Sequence, residues 1–468
     1  MPEHAYTAGP GPFQSYEDVL RHLDGLGLFH MDMGLDRMQR ALEALNLNDL
    51  EFPIVQVVGT NGKGSTATFL QSIAMAHGMR AGLYTSPHFI DPAERIRMDD
   101  KKLPRQAWPR LAARATGAEP GLTYFELLTV MAADAFKSSS PDLAIFEAGL
   151  GARHDATTAL PAEMVCFTPI DMDHANILGE SIYDIAADKA DALRPGVAMA
   201  VSSPQDPIPM AILANKAEDQ GIPFCTTDSM KKAGSSAGRL LWEVLPKELE
   251  RCARIPGDAP LGLRGAHQRI NALTAVQAWI LLCMRHGWKT NSQSIARGLE
   301  KAFIPGRLQF APAANGLPAL WLDGAHNAHG MTALCAALEA MDGQERPGAA
   351  VFSCLRDKDP QALAALLQKT LGKTPVFVPT ISGNPRAAQG EEIAALLGPA
   401  ARPMQGTKAA LDAAAEAAGG RPVLVCGSLY LLSEVYRLHP ALLETPPADA
   451  GSRSGGAAGI YGMHAQEH

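Results

Sequence analysis

Ile54-Val55-Gln56-Val57-Val58-Gly59-Thr60-Asn61-Gly62-Lys63-Gly64-Ser65-Thr66 decides the fold of this chain. A short run rich in β-branched residues ends at a glycine, turns through a second, and enters a segment with Ser and Thr in its first turn: strand, Gly-rich loop, helix. Glycines let backbone N–H groups converge on phosphate oxygens, the helix N-terminus adds positive potential, and Lys63 can reach the outer phosphates. Ser65 or Thr66 can offer a hydroxyl to Mg²⁺. The spacing departs from G-x-x-x-x-G-K-[ST], because Val57 stands at the first glycine position and Gly64 separates Lys63 from Ser65. A turn that merely caps a helix accounts for the glycines and the serine but not for a lysine among them. The run Gly59 to Thr66 therefore reads as a variant loop for Mg-ATP.

Outward from this loop, short apolar runs alternate with longer helical patterns, as in a parallel sheet covered by helices. After an amphipathic helical start, Tyr16 to Leu45, the strand candidates are Ile54 to Val58, Ala81 to Tyr84, Leu143 to Phe146, Val165 to Thr168, Val197 to Ser202 and Ile222 to Thr226. The pattern breaks up over 228 to 262, and a helix resumes at about Gln268 to Arg285. A second set, Ala319 to Leu322, Ala350 to Cys354, Pro375 to Val378 and Val423 to Cys426, marks a smaller α/β domain joined near 303 to 318. The predicted class is α/β, with domains over 1–303 and 304–442 and a disordered tail over 443–468, whose sequence is small, polar and rich in Gly and Ser.

At 468 residues and 47% hydrophobic, the chain is long enough for two cores. A formal net charge of -8 gives no basic field for nucleic acid or an anionic membrane. The seven cysteines are scattered singly without a C-x-x-C, which reads as buried thiols in a reducing compartment. Neither a signal-peptide pattern nor an apolar stretch of spanning length is visible, so a cytoplasmic protein is expected.

In open parallel sheets ligands bind at the carboxyl ends of strands, and a nucleotide's metal needs oxygen or imidazole donors there. Glu147 ends the run Leu143 to Phe146, and His174 follows the strand ahead of Thr168-Pro169-Ile170-Asp171-Met172-Asp173. Singly, Glu147 reads equally well as a helix-entry carboxylate and His174 as a loop histidine. In the second domain Leu322-Asp323-Gly324-Ala325-His326-Asn327 is another strand running into a turn, which suits a ligand held between two lobes.

Together these segments resemble the folylpolyglutamate synthase and dihydrofolate synthase family of the Mur ligase superfamily. Gly59 to Thr66 matches that family's phosphate loop letter for letter, and the glycine after the lysine separates it from the Mur ligases, where threonine usually follows. Further matches, in the family's order, include Thr85-Ser86-Pro87-His88, Glu94-Arg95-Ile96, Tyr124-Phe125-Glu126, Glu147-Ala148-Gly149-Leu150-Gly151, Asp188-Lys189-Ala190, His267 to Asn271, Pro305-Gly306-Arg307, Asp323 to Asn327, Asp357-Lys358-Asp359 and Gly427-Ser428. They span roughly residues 15 to 440.

The resemblance implies a P-loop ATPase domain, a Rossmann-like domain and an active site between them. It implies ATP and one or two Mg²⁺, with Ser65 and Glu147 at the first ion and Glu147, His174 and a carbamylated Lys189 around the second. Asn271, Arg307 and Asp323 would contact nucleotide; Ser86, Pro87 and His88 would bind substrate; His326 and Ser428 would lie near incoming glutamate. Lys63, Lys189 and His326 would be catalytic. The implied reaction joins L-glutamate to dihydropteroate or a reduced folate through an acyl phosphate, by a monomer. Read without the family, Lys189 would be an unmodified surface lysine on a helix Ile182 to Leu193, its ammonium favoured by Asp188 and Asp191.

The chain departs from the family at Ala152, His154, Thr158 and Asp191, all beside the expected metal and substrate sites. Two other readings keep part of the pattern: a Mur-type ligase acting on another carboxylate, against which Gly64 stands, and a P-loop regulator that binds ATP without ligating.

Overall fold

The computed structural model describes residues 11–28, 30, 32–227, 252, 255, 259–314 and 316–444. In it β1 (Ile54–Val58) is buried along its whole length, near the middle of an eight-stranded sheet. The other strands are β2 (Ala81–Tyr84), β3 (Ile96–Met98), β4 (Lys101–Lys102), β5 (Leu143–Glu147), β6 (Met164–Phe167), β7 (Met199–Ser202) and β8 (Phe224–Thr226), in the order β4-β3-β2-β5-β1-β6-β7-β8. All pairings from β2 to β8 are parallel; β3 and β4 add an antiparallel edge.

Alternate residues of β1 enter cores on opposite faces. Val55 and Val57 pack with the helices Lys63–Ala76, Ala266–His286 and Ser292–Lys301, whereas Ile54 packs with Tyr16–Leu26, Asp36–Ala44, Trp108–Ala118 and Tyr124–Ser139. A strand covered on both sides reads as a nearly continuous apolar run, and that is the pattern seen in the sequence.

Six more strands form the second sheet: β9 (Gln309–Ala311), β10 (Leu320–Leu322), β11 (Ala349–Phe352), β12 (Val376–Pro379), β13 (Ala401–Met404) and β14 (Val423–Cys426), ordered β13-β12-β11-β14-β10-β9. Only β9 runs antiparallel.

The structure corrects several expectations. The helical start is two helices, Tyr16–Leu26 and Asp36–Ala44, because Gly27 closes the first at φ 74. The edge strands β4, β9 and β13, and β3 next to β4, escaped the sequence reading. β13 is Ala-Arg-Pro-Met with its middle residues exposed, so it lacks an apolar run, and Pro403 is tolerable only on an edge. The helix expected to reach Leu193 ends at Ala190. Most of the disturbed stretch 228–262, and the tail beyond 444, lie outside the described residues. Among the described residues no helix is long and apolar enough to cross a membrane.

The helix after the phosphate loop is held by backbone contact. A Cβ at Gly298 would lie 2.6 Å from the Ile73 Cα, and Ser72 Oγ donates to the Gly298 carbonyl at 2.7 Å. Gly298→Ala should push the helices Ser292–Lys301 and Lys63–Ala76 apart and lower the unfolding free energy by about 1–3 kcal/mol, the usual cost of overpacking, read from urea unfolding.

Candidate active site

β1 lies between β5 and β6, with Val57 opposite Glu147 and Val58 opposite Phe167. Three segments distant in sequence therefore leave the sheet side by side at its carboxyl edge: the phosphate loop, Glu147-Ala148-Gly149 and Thr168 to His174. The loop is packed so closely that its glycines are obligatory. A Cβ at Gly59 would meet Thr168 Oγ1 at 1.9 Å, and one at Gly62, where φ is 88, would meet Asn271 Oδ1 at 2.3 Å. At Gly64 it would lie 3.3 Å from both Glu147 carboxylate oxygens and 3.1 Å from Ile304. Gly64 thus lets a carboxylate rest against the loop.

Lys63 Nζ donates to the carbonyls of Gly59 and Thr60, each at 3.1 Å. Lys189 Nζ donates to the same Gly59 carbonyl at 3.1 Å and is only 4% exposed. This overturns the surface-lysine alternative. Burial, with Lys63 adding to it, pushes the Lys189 pKa down to about 7. Desolvation lowers the Lys63 pKa too, against the pull of Glu147. Asp191 does not favour the Lys189 ammonium as expected: it pairs with Arg153 at 2.6 Å and Lys216 at 2.7 Å. Asp188 accepts from the Ala152 N–H at 2.8 Å, tying the loop after Glu147 to the helix that carries Lys189.

Glu147 is buried and accepts from the Ser86 N–H at 3.0 Å. Desolvation raises its carboxyl pKa, opposed mainly by Lys63. Thr66 Oγ1 is buried with no hydrogen-bond partner among the described residues, and Ser65 beside it is also buried. His174 begins a one-turn helix at φ 54 and leaves its side chain 42% exposed, with Nε2 3.8 Å from Asp173. Among the described residues no three His, Cys, Asp or Glu side chains converge as a metal cage. A single buried carboxylate with a hydroxyl beside a phosphate loop suits Mg²⁺, which takes one or two carboxylates plus substrate phosphates. An amine with a pKa of about 7 also holds a large neutral fraction at neutral pH, as carbamylation needs.

The second domain closes over this edge. Asn327 Nδ2 donates to Asp173 at 2.8 Å and to Asn61 Oδ1 at 3.3 Å, and Lys358 Nζ bonds Asp173 at 2.6 Å. None of these clasp residues except Asn61 stood among the sequence's candidates. Asp357-Lys358-Asp359 was noticed only as a motif, because nothing local relates Lys358 to Asp173. His326 Nδ1 lies 2.7 Å from the Gly324 carbonyl, so it carries the proton and leaves Nε2 as an acceptor; burial pushes its pKa down to about 4.

Asp323 is buried and accepts from the Leu308 and Ala325 N–H groups at 2.7 and 2.8 Å, clamping the loop that carries Arg307. Arg307 and Asp323 attract each other, which holds down an Asp323 pKa that burial raises. Asn271 lies under Gly62 and donates to Gln268 at 2.9 Å. Ser428 caps the helix Leu429–Leu438, accepting from Tyr430 at 3.1 Å. Ser86, Pro87 and His88 form the loop after β2, where Arg95 Nε donates to His88 Nδ1 at 2.9 Å.

Residues 306–429 match the Mur ligase, glutamate ligase domain. The chain is 30% identical to the dihydrofolate synthase/folylpolyglutamate synthase of Escherichia coli, over 90% of this chain and 94% of that protein. It is 32% identical over 81% of its length to a probable bifunctional folylpolyglutamate synthase/dihydropteroate synthase of Halobacterium salinarum, of which it spans about half, 46%. A crystal structure of the bifunctional folylpolyglutamate synthase/dihydrofolate synthase of Yersinia pestis, complexed with AMPPNP and Mn, superposes with a TM-score of 0.76 at 27% identity, covering 92% of this chain and 99% of that one.

Glu147→Gln removes a buried charge whose desolvation opposes folding. The variant should melt no lower than the parent without ligand yet bind Mg-ATP at least tenfold more weakly, as calorimetry would read. Lys189 gives a pH signature. Its folded pKa of about 7 lies below the ordinary lysine value of 10.5, so between these limits the unfolded chain binds more protons and stability rises with pH. The slope should reach at most about 1.4 kcal/mol per pH unit, and Lys189→Met should flatten it in urea titrations from pH 7 to 10.

Proposed function

Because the chain belongs to the dihydrofolate synthase/folylpolyglutamate synthase family, we propose that it uses Mg-ATP to join L-glutamate to dihydropteroate, to reduced folates, or to both. The observation that carries this is the meeting of Lys63, Lys189 and Glu147 at the phosphate loop, with Asn327 and Lys358 of the second domain reaching across to it.

An oxygen of the acceptor carboxylate attacks the γ-phosphorus of ATP, the bond to the β-phosphate oxygen breaks, and ADP leaves. The glutamate α-amine then attacks the acyl carbon, phosphate departs, and the nitrogen loses a proton. Lys63 and Arg307 neutralise charge that gathers on phosphate oxygens as the first bond breaks. Asn271 and Asp323 lie on the nucleotide side. Mg²⁺, when bound, adds Lewis-acid charge neutralisation, and the residues that would hold it are Ser65, Glu147, His174 and carbamylated Lys189. His326, with Nε2 as an acceptor, is suited to take a proton from the amine, and Ser428 lies near the glutamate. With the division at residue 303, the phosphate loop and Asn271 stand on one lobe and Arg307, Asp323, His326 and Ser428 on the other, so ATP is held between the two and glutamate approaches from the second. Action as a cytoplasmic monomer suits seven free, buried cysteines that need no oxidising compartment.

Incubation with Mg-ATP, glutamate and either dihydropteroate or tetrahydrofolate should add at least one glutamate, read by mass spectrometry. Lys63→Ala should lose at least a thousandfold in rate while keeping its circular dichroism. Turnover of ATP that needs neither an acceptor nor glutamate would instead support the regulator.

A further inference from the structure

The loop after β2 is held unusually firmly. Glu94 accepts from the N–H groups of Phe89, Ile90 and Asp91 at 2.8, 2.9 and 2.8 Å. Asp91 bonds Arg105 at 2.6 Å and takes the Tyr16 hydroxyl. Arg95 is 4% exposed, with its guanidinium 5.5 Å over the Tyr124 ring. From this fixed position it points Nε at His88 Nδ1, 2.9 Å away.

That contact determines the state of the imidazole. Arginine Nε–H can only donate, so Nδ1 must offer its lone pair and the ring proton must sit on Nε2. A second proton on Nδ1 would set N–H against N–H beside a guanidinium. Among the described residues Nε2 has no partner. Ser86, two residues back and so within about 7 Å along the chain, holds the Glu147 carboxylate through its N–H.

We infer that His88 is a neutral Nε2–H donor to an oxygen at the carboxylate end of the acceptor substrate, and that Arg95 is the positioning residue that fixes this tautomer. The inference rests on the ligase reading above. Its chemical logic is that the attacking carboxylate must stay anionic. An imidazolium would compete for its electron pair, whereas a neutral N–H orients an oxygen without surrendering a proton. The charged groups acting on His88 are Arg95 and Asp91 from its own loop and Arg437 from the helix Leu429–Leu438 of the other domain. Burial and the two arginines outweigh Asp91 and push its pKa down to about 3.

Nitrogen-15 spectra of the histidine-labelled full chain, with His88 assigned by comparison with His88→Gln, should show the Nε2–H tautomer unchanged from pH 8 to pH 5. His88→Leu should raise KM for dihydropteroate or tetrahydrofolate at least tenfold with KM for ATP within twofold. His88→Gln, which restores an N–H donor, should recover most of that loss. Arg95→Met, which removes the donor that holds Nδ1 unprotonated but leaves the burial, should raise the His88 pKa, release the tautomer and introduce a fall in acceptor kcat/KM on the acid side that the parent lacks. A wild-type His88 that titrates between pH 6 and 7, or carries its proton on Nδ1, would overturn the inference, as would an acceptor KM within twofold in His88→Leu. Failure of the wild type to ligate any acceptor would sink the ligase reading instead, and the spectra would still report the tautomer.

Discussion

Two ammonium groups share one carbonyl oxygen at the centre of this protein: Lys63 and Lys189 both donate to Gly59. Like charges brought together and withdrawn from water are costly, and both amines respond with lowered pKa values. The arrangement is favourable only as part of a site that receives anions. Phosphates opposite Lys63, or conversion of the Lys189 amine to an anion, would relieve the repulsion. The raised carboxyl pKa of Glu147 is the matching cost on the acidic side. The fold holds these groups in place because each stands on a buried strand or helix with little freedom to withdraw.

The missing side chains of the glycines matter as much as the charges. Gly59, Gly62 and Gly64 bring the loop against Thr168, Asn271 and Glu147, on three different elements. The glycine that breaks the ordinary P-loop spacing thereby acquires a physical role, since any side chain at 64 would crowd the Glu147 carboxylate.

The cleft is joined by polar contacts near the nucleotide loop and apolar ones farther off. Asn61, Asp173, Asn327 and Lys358 form the first set, and the Phe89 ring, 4.7 Å from that of Tyr436, belongs to the second. The Asp173–Lys358 pair is nearly buried, so losing either partner would strand a charge in the cleft. Because Asp173 also accepts from the His174 N–H at 2.8 Å, the pose of the second domain and the backbone of His174 are mechanically linked. The departure at Asp191 caps the helix that carries Lys189 and is held in ion pairs with Arg153 and Lys216.

By itself the sequence determined the buried strands, the phosphate loop and the division into two α/β sheets, because the period of apolar residues and the placement of glycine are local properties. It also singled out Lys63, Glu147 and Asp323, each of which ends or follows an apolar run. It was silent on β13, whose Ala-Arg-Pro-Met carries no strand pattern and is ordered by pairing with β12. Only tertiary structure decided that Lys189 is buried on the Gly59 carbonyl rather than exposed on its helix, and that of its sequence neighbours Asp188 favours its ammonium while Asp191 is turned to Arg153 and Lys216. It alone decided that Arg95 fixes the His88 tautomer and that Lys358 reaches Asp173, 185 residues away. Charge partnerships and proton positions depend on distances that chain order does not encode.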